Sequence, residues 1–525
     1  MELPPFLKNF LIVIVYGLAL GTLGMYLFFP NQFVVLRDGL RGSFLSGNFA
    51  TMQGTDEKAK KLAIGLAQDP GNIEPTSLSS GVRTLALQVY DPLVRTDRFL
   101  SIQPSIARSW GRISPTVWRF QLREGVLFHN NQQLTVEDVA ASIRRASTFE
   151  SSDLKGLLSG ITVVLIPKET STFEIHTKDP DPLLLQKLSG VLIIPRENEM
   201  KLVFAPVGTG PYRFAGSKRG ESYSFSAFDG YWGSTPAYTD VVFSVYPDKN
   251  SRVLAITSGD IDILTNVPPE EVSSLKAAGL RVDVLPSLEV NFLTFNTQGI
   301  FKSTALREAV TSAIDRSVFE KFAAGYATAV SQFVSSGVFG YNPEISLIPY
   351  DMPHAQSIIK QFSEFDLIPI KLSFVQGLET AGDYISTQLR AIGFDPKVTY
   401  VSWNDFRADL PNNGSDIYFF GWKSDLGSAS DIFLNAIHSQ DETFGFGQYN
   451  AGRYSNAKAD NLIEKSVQTF DDAKRLSMYQ EAMKMVTLDD PYGVPLFESQ
   501  VLYASTNRVH FYPRIDGYII ANDIR

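Results

Sequence analysis

From Asn9 to Leu36 the chain carries no charged residue, and Phe10 to Phe29 is almost wholly apolar. As a helix, about 20 such residues span the hydrocarbon core of a bilayer. The sequence therefore divides into a short segment suited to lipid and a long remainder of mixed character. A cleavable export signal has an apolar region of only about 7–15 residues. A small-x-small site exists at Ala19-Leu20-Gly21, but cutting there would leave Met25-Tyr26-Leu27-Phe28-Phe29 near the new amino terminus. Residues 1–30 are accordingly read as an uncleaved, single-pass membrane anchor that meets the lipid bilayer through residues 10–29. Lys8 precedes the segment while Arg37 and Arg41 follow it, so flanking charge does not decide its orientation. Residues 31–58 scatter Gly, Ser, Asn and Gln around short apolar patches and read as a linker.

The rest is too long for one compact core. A chain of 525 residues suggests about three domains. Hydrophobic residues at 44% and charged residues at 20% are enough for a sizeable core. The net charge of -9, with Lys and Arg scattered, argues against a nucleic-acid partner, which would need a basic face. The absence of cysteine removes disulfides, thiol catalysis, Cys-zinc sites and lipid attachment through a cysteine. Strand-like runs occur at Lys61 to Leu66, Trp118 to Leu122, Ile161 to Ile166, Val241 to Val245 and Val290 to Phe295. Asp69-Pro70-Gly71-Asn72 stops the first of them as a turn. Between strands, Thr135 followed by Asp138 reads as a helix cap with an acidic capping box. Leu306, Ala309, Val310, Ala313 and Ile314 recur at the spacing of a buried helix face. Ala457 to Val486 is helical in pattern until Asp490-Pro491 breaks it. Alternation of this kind predicts an α/β chain.

No constellation for catalysis, metal or cofactor is specified. Gly208-Thr209-Gly210-Pro211-Tyr212 lacks the Lys-Ser/Thr of a phosphate loop and reads as a tight turn. His129, His176, His354, His438 and His510 are far apart, with no HExxH spacing, and His129 is expected to be structural. No G-x-S-x-G elbow is present. The acidic pairs Asp260/Asp262 and Asp489/Asp490 read as surface or turn features, and Arg307 and Arg316 as partners of nearby acids on a solvated face. Tyr418-Phe419-Phe420 reads as a buried strand.

An ordered trail of short motifs points further. It begins with Leu122-Arg123-Glu124-Gly125-Val126-Leu127-Phe128-His129 and Leu134-Thr135-Val136-Glu137-Asp138-Val139. It continues through Gly208-Thr209-Gly210-Pro211-Tyr212, Tyr231-Trp232-Gly233 and Ser258-Gly259-Asp260-Ile261-Asp262-Ile263. Phe292-Leu293-Thr294-Phe295-Asn296-Thr297, Leu306-Arg307-Glu308-Ala309-Val310 and Ala313-Ile314-Asp315-Arg316 complete it. In order and spacing this trail resembles the family 5 extracellular solute-binding proteins, the peptide- and nickel-type receptors of ABC importers. The resemblance runs from about Lys61 to Ile515.

It implies a two-lobed periplasmic-binding-protein fold of the class II, cluster C type, following the amino-terminal transmembrane helix. Lobe I would comprise residues 59–290 plus 491–525 and lobe II residues 291–490, with Val494-Pro495-Leu496-Phe497 as a returning strand. It also implies a receptor rather than an enzyme, monomeric, with its binding domain outside the cell membrane and an ABC permease as partner. In Phe420-Gly421-Trp422-Lys423-Ser424-Asp425 the resemblance assigns Asp425 to a bound peptide's α-ammonium, with Trp422 lining the cleft. Gly208, Gly210 and Tyr212 would shape that cleft. Peptide-type members continue with an acid-proline pair, where this chain reads Leu426-Gly427-Ser428-Ala429-Ser430-Asp431. Asp425 or Asp431 would otherwise cap the following helix. Alternatives of the same fold bind a nickel chelate, haem or an oligosaccharide, or sense ligand without transport. Fractionation tests the anchor: the full chain should sediment with membranes, and deletion of residues 10–29 should release it.

Overall fold

Two strands of unusual length organise the molecule. The computed structural model describes residues 60–525, apart from 204, 364, 365 and 413, so the expected anchor and linker lie outside the described residues. Among the described residues no helix is long and apolar enough to cross a membrane. In chain order the first strands are β1 (Lys61–Leu66), β2 (Val94–Thr96), β3 (Ile102–Pro104), β4 (Ala107–Ser114), β5 (Val117–Leu122), β6 (Ile161–Leu165) and β7 (Thr172–Thr177). Then come β8 (Tyr212–Lys218), β9 (Ser222–Ala227), β10 (Asp240–Val245), β11 (Ile263–Thr265), β12 (Arg281–Phe295) and β13 (Ala327–Ala329). The last are β14 (Ile368–Val375), β15 (Phe394–Val401), β16 (Ile417–Lys423) and β17 (Gly493–Ser505).

Ten of these form one path, β15-β14-β16-β12-β17-β11-β1-β10-β9-β8, with β13 added to β17. Strands of 15 and 13 residues, β12 and β17 exceed the common strand length of roughly 3–10 residues. The excess lets each belong to both halves of the sheet. The end of β12 pairs with β16 through Glu289–Phe295, while the end of β17 pairs with β11 through Tyr503–Ser505. Between themselves they pair antiparallel from Arg281↔Ser505 to Thr294↔Gly493, with a register shift between Pro286 and Val290. Proline has no N–H to give the ladder. In its place Ser287 Oγ and the Glu289 backbone exchange two bonds of 3.1 Å. The chain thus passes between halves at an irregular point in an otherwise continuous ladder. A separate antiparallel sheet, β4-β5-β7-β6, extends the first half.

Period-2 alternation explains the apolar runs. Tyr418 and Phe420 join a core with Phe292, Phe333 and Tyr492. Ile417 and Phe419 face the opposite side with Leu293, Phe295, Val494 and Leu496. A strand covered on both faces has no polar side, so Tyr418-Phe419-Phe420 is fully buried as read. Helices supply the covers. Thr304–Ala313 buries Leu306, Ala309, Val310 and Ala313. At Val136–Thr148 the Thr135/Asp138 capping box forms.

Three expectations need correction. The helical pattern from Ala457 is two helices, Ala457–Ser466 and Asp472–Lys484, because Asp471 caps the second by accepting from Lys474 N. Arg307 and Arg316 are not on a solvated face but 4% exposed. Arg307 pairs with Asp490, whereas Arg316 donates to the carbonyls of Pro495 (2.7 Å) and Ile348 (3.0 Å). Asp262 is buried, where it accepts from Ala63 N at 3.0 Å and pairs with Arg508. A buried charge needs such partners, and spacing alone does not reveal them.

Glu498 lies beside the register shift, opposite Val290 and Thr328. It is 8% exposed and its Oε1 has no hydrogen-bond partner. Burial pushes its carboxyl up to about 7. The folded protein therefore holds this proton after the unfolded chain has released it, so stability falls as pH rises between the ordinary glutamate pKa and about 7. Glu498→Gln should remove this slope and raise the melting temperature at pH 8 by several degrees, with little change at pH 4.5, as read by calorimetry.

Candidate functional site

The site is built around the helix Ser80–Val89, which buries Val82, Arg83, Thr84, Leu85, Ala86, Gln88 and Val89. A helix covered nearly all round is held in place by its surroundings. Gln88 does part of this by donating to Ile519 O at 2.7 Å and accepting from Ala521 N at 3.0 Å. The carboxyl end of the helix is clasped by the 208–212 turn, where Gly210 N donates to Val89 O at 2.8 Å. A Cβ on Gly208 would lie 2.1 Å from Val89 O, and one on Gly210 2.6 Å from the Val89 carbonyl carbon. Contact this close leaves room only for glycine.

Several motifs from the sequence trail meet at this point. His129 Nε2 donates to Gly210 O at 3.0 Å, and Nδ1 accepts from Gly208 N at 3.4 Å. Burial lowers the pKa of His129 to about 4, leaving it neutral, as a ring that both donates and accepts must be. Asp91, just past the helix, accepts from Trp232 Nε1 (2.8 Å), Thr209 Oγ1 (3.1 Å) and Tyr231 OH (3.3 Å). Burial pushes its carboxyl up to about 6. These contacts fix the turn that leads to Pro92, Arg95 and Thr96.

Pro92, Arg95 and Thr96 form part of the wall of a cavity of about 100 Å³. Arg83, Leu87, Gly190, Asp516 and Tyr518 add to that wall from the same half of the sheet. From the other half come Asp425 and Leu426, in the turn after β16, and Asp431, in the short helix that follows. That turn is set by Ser424 N bonding Leu288 O and Gly427 N bonding Ser424 O, both at 2.9 Å. Gly427 has φ +64°, a conformation costly for other residues.

The cavity's charges are mixed. Arg83 is 3% exposed and donates to the carbonyls of Gly190 (2.8 Å) and Ser189 (2.9 Å). Arg514 pairs with Asp516 at 2.5 Å. Asp425 Oδ1 lies 2.9 Å from Lys423 Nζ. Burial, with the Asp425 carboxylate nearby, pushes Asp431 up to about 7. No side chain caps the helix Ser430–Ile432, so neither aspartate serves that role.

Of the five residues expected at the site, only Asp425 is on the cavity wall. Trp422 packs instead against Tyr449, ring centroids 5.6 Å apart, at the edge of the core. Gly208, Gly210 and Tyr212 sit behind the helix and position it. Asp91, Arg83, Asp516 and Lys423 were missed. Asp91 and Arg83 find their partners far along the chain, and Asp516 and Lys423 meet each other across 93 positions, so local pattern did not reveal them. Among the described residues no cluster of three or more His, Cys, Asp or Glu is placed to hold a metal ion.

Comparison with known proteins bears on the fold and the family. Residues 101–444 match the sequence profile of the bacterial extracellular solute-binding proteins, family 5 middle. The dipeptide-binding protein of Escherichia coli is 22% identical over 506 residues, covering 88% of this chain and 92% of that protein. Heme-binding protein A of Haemophilus influenzae is 23% identical over 492 residues, covering 85% and 86%. An ABC transporter-associated periplasmic binding protein from Helicobacter pylori, solved with the peptide STSA, superposes with a TM-score of 0.76 at 21% identity, covering 88% and 97%. Gly208→Ala should destabilise the protein by about 2–3 kcal/mol through its clash with Val89 O, lowering the calorimetric melting temperature.

Proposed function

The chain belongs to the family 5 bacterial extracellular solute-binding proteins, receptors of ABC importers that catalyse no reaction, and from that premise we propose that its ligands are short peptides. One observation carries this reading: the Asp425 carboxylate stands on the wall of a cavity lined from both halves of the sheet. A peptide enclosed there must have its terminal ammonium compensated, because an unpaired buried charge costs several kcal/mol. Asp425 supplies the compensation, and main-chain groups of the peptide pair with the exposed backbone around it.

The lobes are taken as 59–290 with 491–525 and as 291–490, linked through β12 and β17. They hinge at Ser287–Glu289, where the ladder is irregular. A volume of about 100 Å³ holds roughly three waters. Any peptide therefore enters with the lobes apart and is enclosed as they close. Closure is favoured only by contacts that exist in the closed form, so the ligand touches both walls. Residues 10–29 hold the receptor in the membrane, facing outward beside its permease, where linkage raises its effective concentration. The importer contributes ATP hydrolysis.

Thermal shift on the chain from Thr55 onward tests the ligand class with di- to pentapeptides and the same peptides N-acetylated. Free peptide at about 100 times its dissociation constant should stabilise by roughly 2.7 kcal/mol, a shift of several degrees. Acetylation and Asp425→Asn should each abolish the shift. No shift with any free peptide sinks the peptide reading.

A further inference from the structure

Lys423 is the last residue of β16, and its side chain reaches from the second half of the sheet into the first. Its Nζ lies 2.9 Å from Asp425 Oδ1, donates to Asp516 O at 2.9 Å and to Ser80 Oγ at 3.3 Å. It also stands 5.0 Å from the centroid of the Tyr518 ring. The carboxylate belongs to the half that carries Lys423. Ser80, Asp516 and Tyr518 belong to the other. Two hydrogen bonds to the other half and one ion pair within its own half thus surround the ammonium. Burial alone would lower the pKa of Lys423, yet Asp425 and the neighbouring acceptors hold it above the ordinary lysine range. On its other side Lys423 is paired across the strands with Glu289, inside the irregular segment that joins the halves.

We infer that Lys423 is a resident occupant of the ammonium seat at Asp425, tying the two halves together until a ligand's own ammonium displaces it. The inference rests on the role given to Asp425 above and adds what sets affinity and resting conformation. Asp425 alone cannot compensate two ammonium groups a few ångströms apart in a partly buried site, since the cations repel, and burial holds the carboxyl of the neighbouring Asp431 up to about 7. The lysine is tethered, so it competes at an effective concentration on the order of millimolar. Displacing it also breaks the bonds to Asp516 and Ser80. A ligand must then replace both the charge contact and the ties between halves. A free amine or single amino acid, touching only the Asp425 wall, does not. A peptide long enough to bond the Ser80 and Asp516 side does. Lys423 is thereby a specificity-determining residue that sets a minimum ligand span.

The test uses the full chain, whose lack of cysteine lets spin labels be placed only where cysteines are introduced. Ser109→Cys and Lys474→Cys, both exposed, give one label in each half. Electron–electron distance measurement without peptide should show a longer population in Lys423→Met, which keeps the stem, and in Lys423→Gln, which keeps a neutral donor. Distances unchanged in both variants overturn the inference whatever the ligand proves to be. Titration calorimetry with trialanine and N-acetyl-trialanine forms the second arm. Lys423→Met should bind trialanine at least about tenfold more tightly than the parent, with the acetylated peptide unaffected. Weaker or equal binding of trialanine by Lys423→Met overturns the inference while leaving the peptide reading intact. No trialanine binding by either protein counts against the peptide reading, and the distance arm still decides the role of Lys423.

Discussion

The antiparallel pairing of β12 with β17 is the constraint on which the rest depends. Each strand is long enough to be hydrogen-bonded in both halves of the sheet, so the halves share one backbone ladder in addition to the side chains that meet between them. Strand pairing fixes register to the residue, because a slip of one would turn every apolar side chain to the wrong face. Phe292 and Leu293 face opposite cores, and both cores would be lost together. The ladder is interrupted only near its middle, at Pro286 to Val290 and between Asn291 and Phe292. The wider gap leaves Ser287 and Glu289 to bond each other in place of the ladder.

A second level of order lies behind the cavity. Backbone contact between the 208–212 turn and Val89, the neutral imidazole of His129 and the three donors on Asp91 hold one helix end without touching ligand space. Such buried polar networks are expensive unless every member is satisfied, and here the members come from four separate stretches of chain. The helix Ser80–Val89 and the residues just beyond it are thus presented to the cavity as a rigid edge. Precision at the wall comes from packing out of sight of it.

Much of the fold was legible in the sequence because its signals are local. The run Lys61 to Leu66, the cap at Thr135 and the apolar stripe from Leu306 all depend on neighbours within a turn or a strand. The break at Asp471 was hidden inside a pattern of good helix formers, since a cap matters more than average propensity there. The burial of Arg307, Arg316 and Asp262 was not legible either, because each is satisfied by a residue well over a hundred positions away. The same holds at the site. Asp425, singled out by its motif, lies on the cavity wall, whereas the glycines and Tyr212 belong to the scaffold behind the helix. Lys423, two residues from Asp425, gains its meaning only from Ser80 and Asp516, at opposite ends of the chain.

The small volume between Asp425 and Arg83 has a kinetic meaning. Under the closure proposed above, a solute that bridges the two walls holds them together, so its own contacts slow the opening through which it would leave. A solute that touches one wall alone would add nothing to that barrier and would leave whenever its side of the cavity loosens. Handover to a membrane partner would then be a matter of leverage: whatever pries the walls apart supplies the work of breaking the bridging contacts, and the contents are discharged.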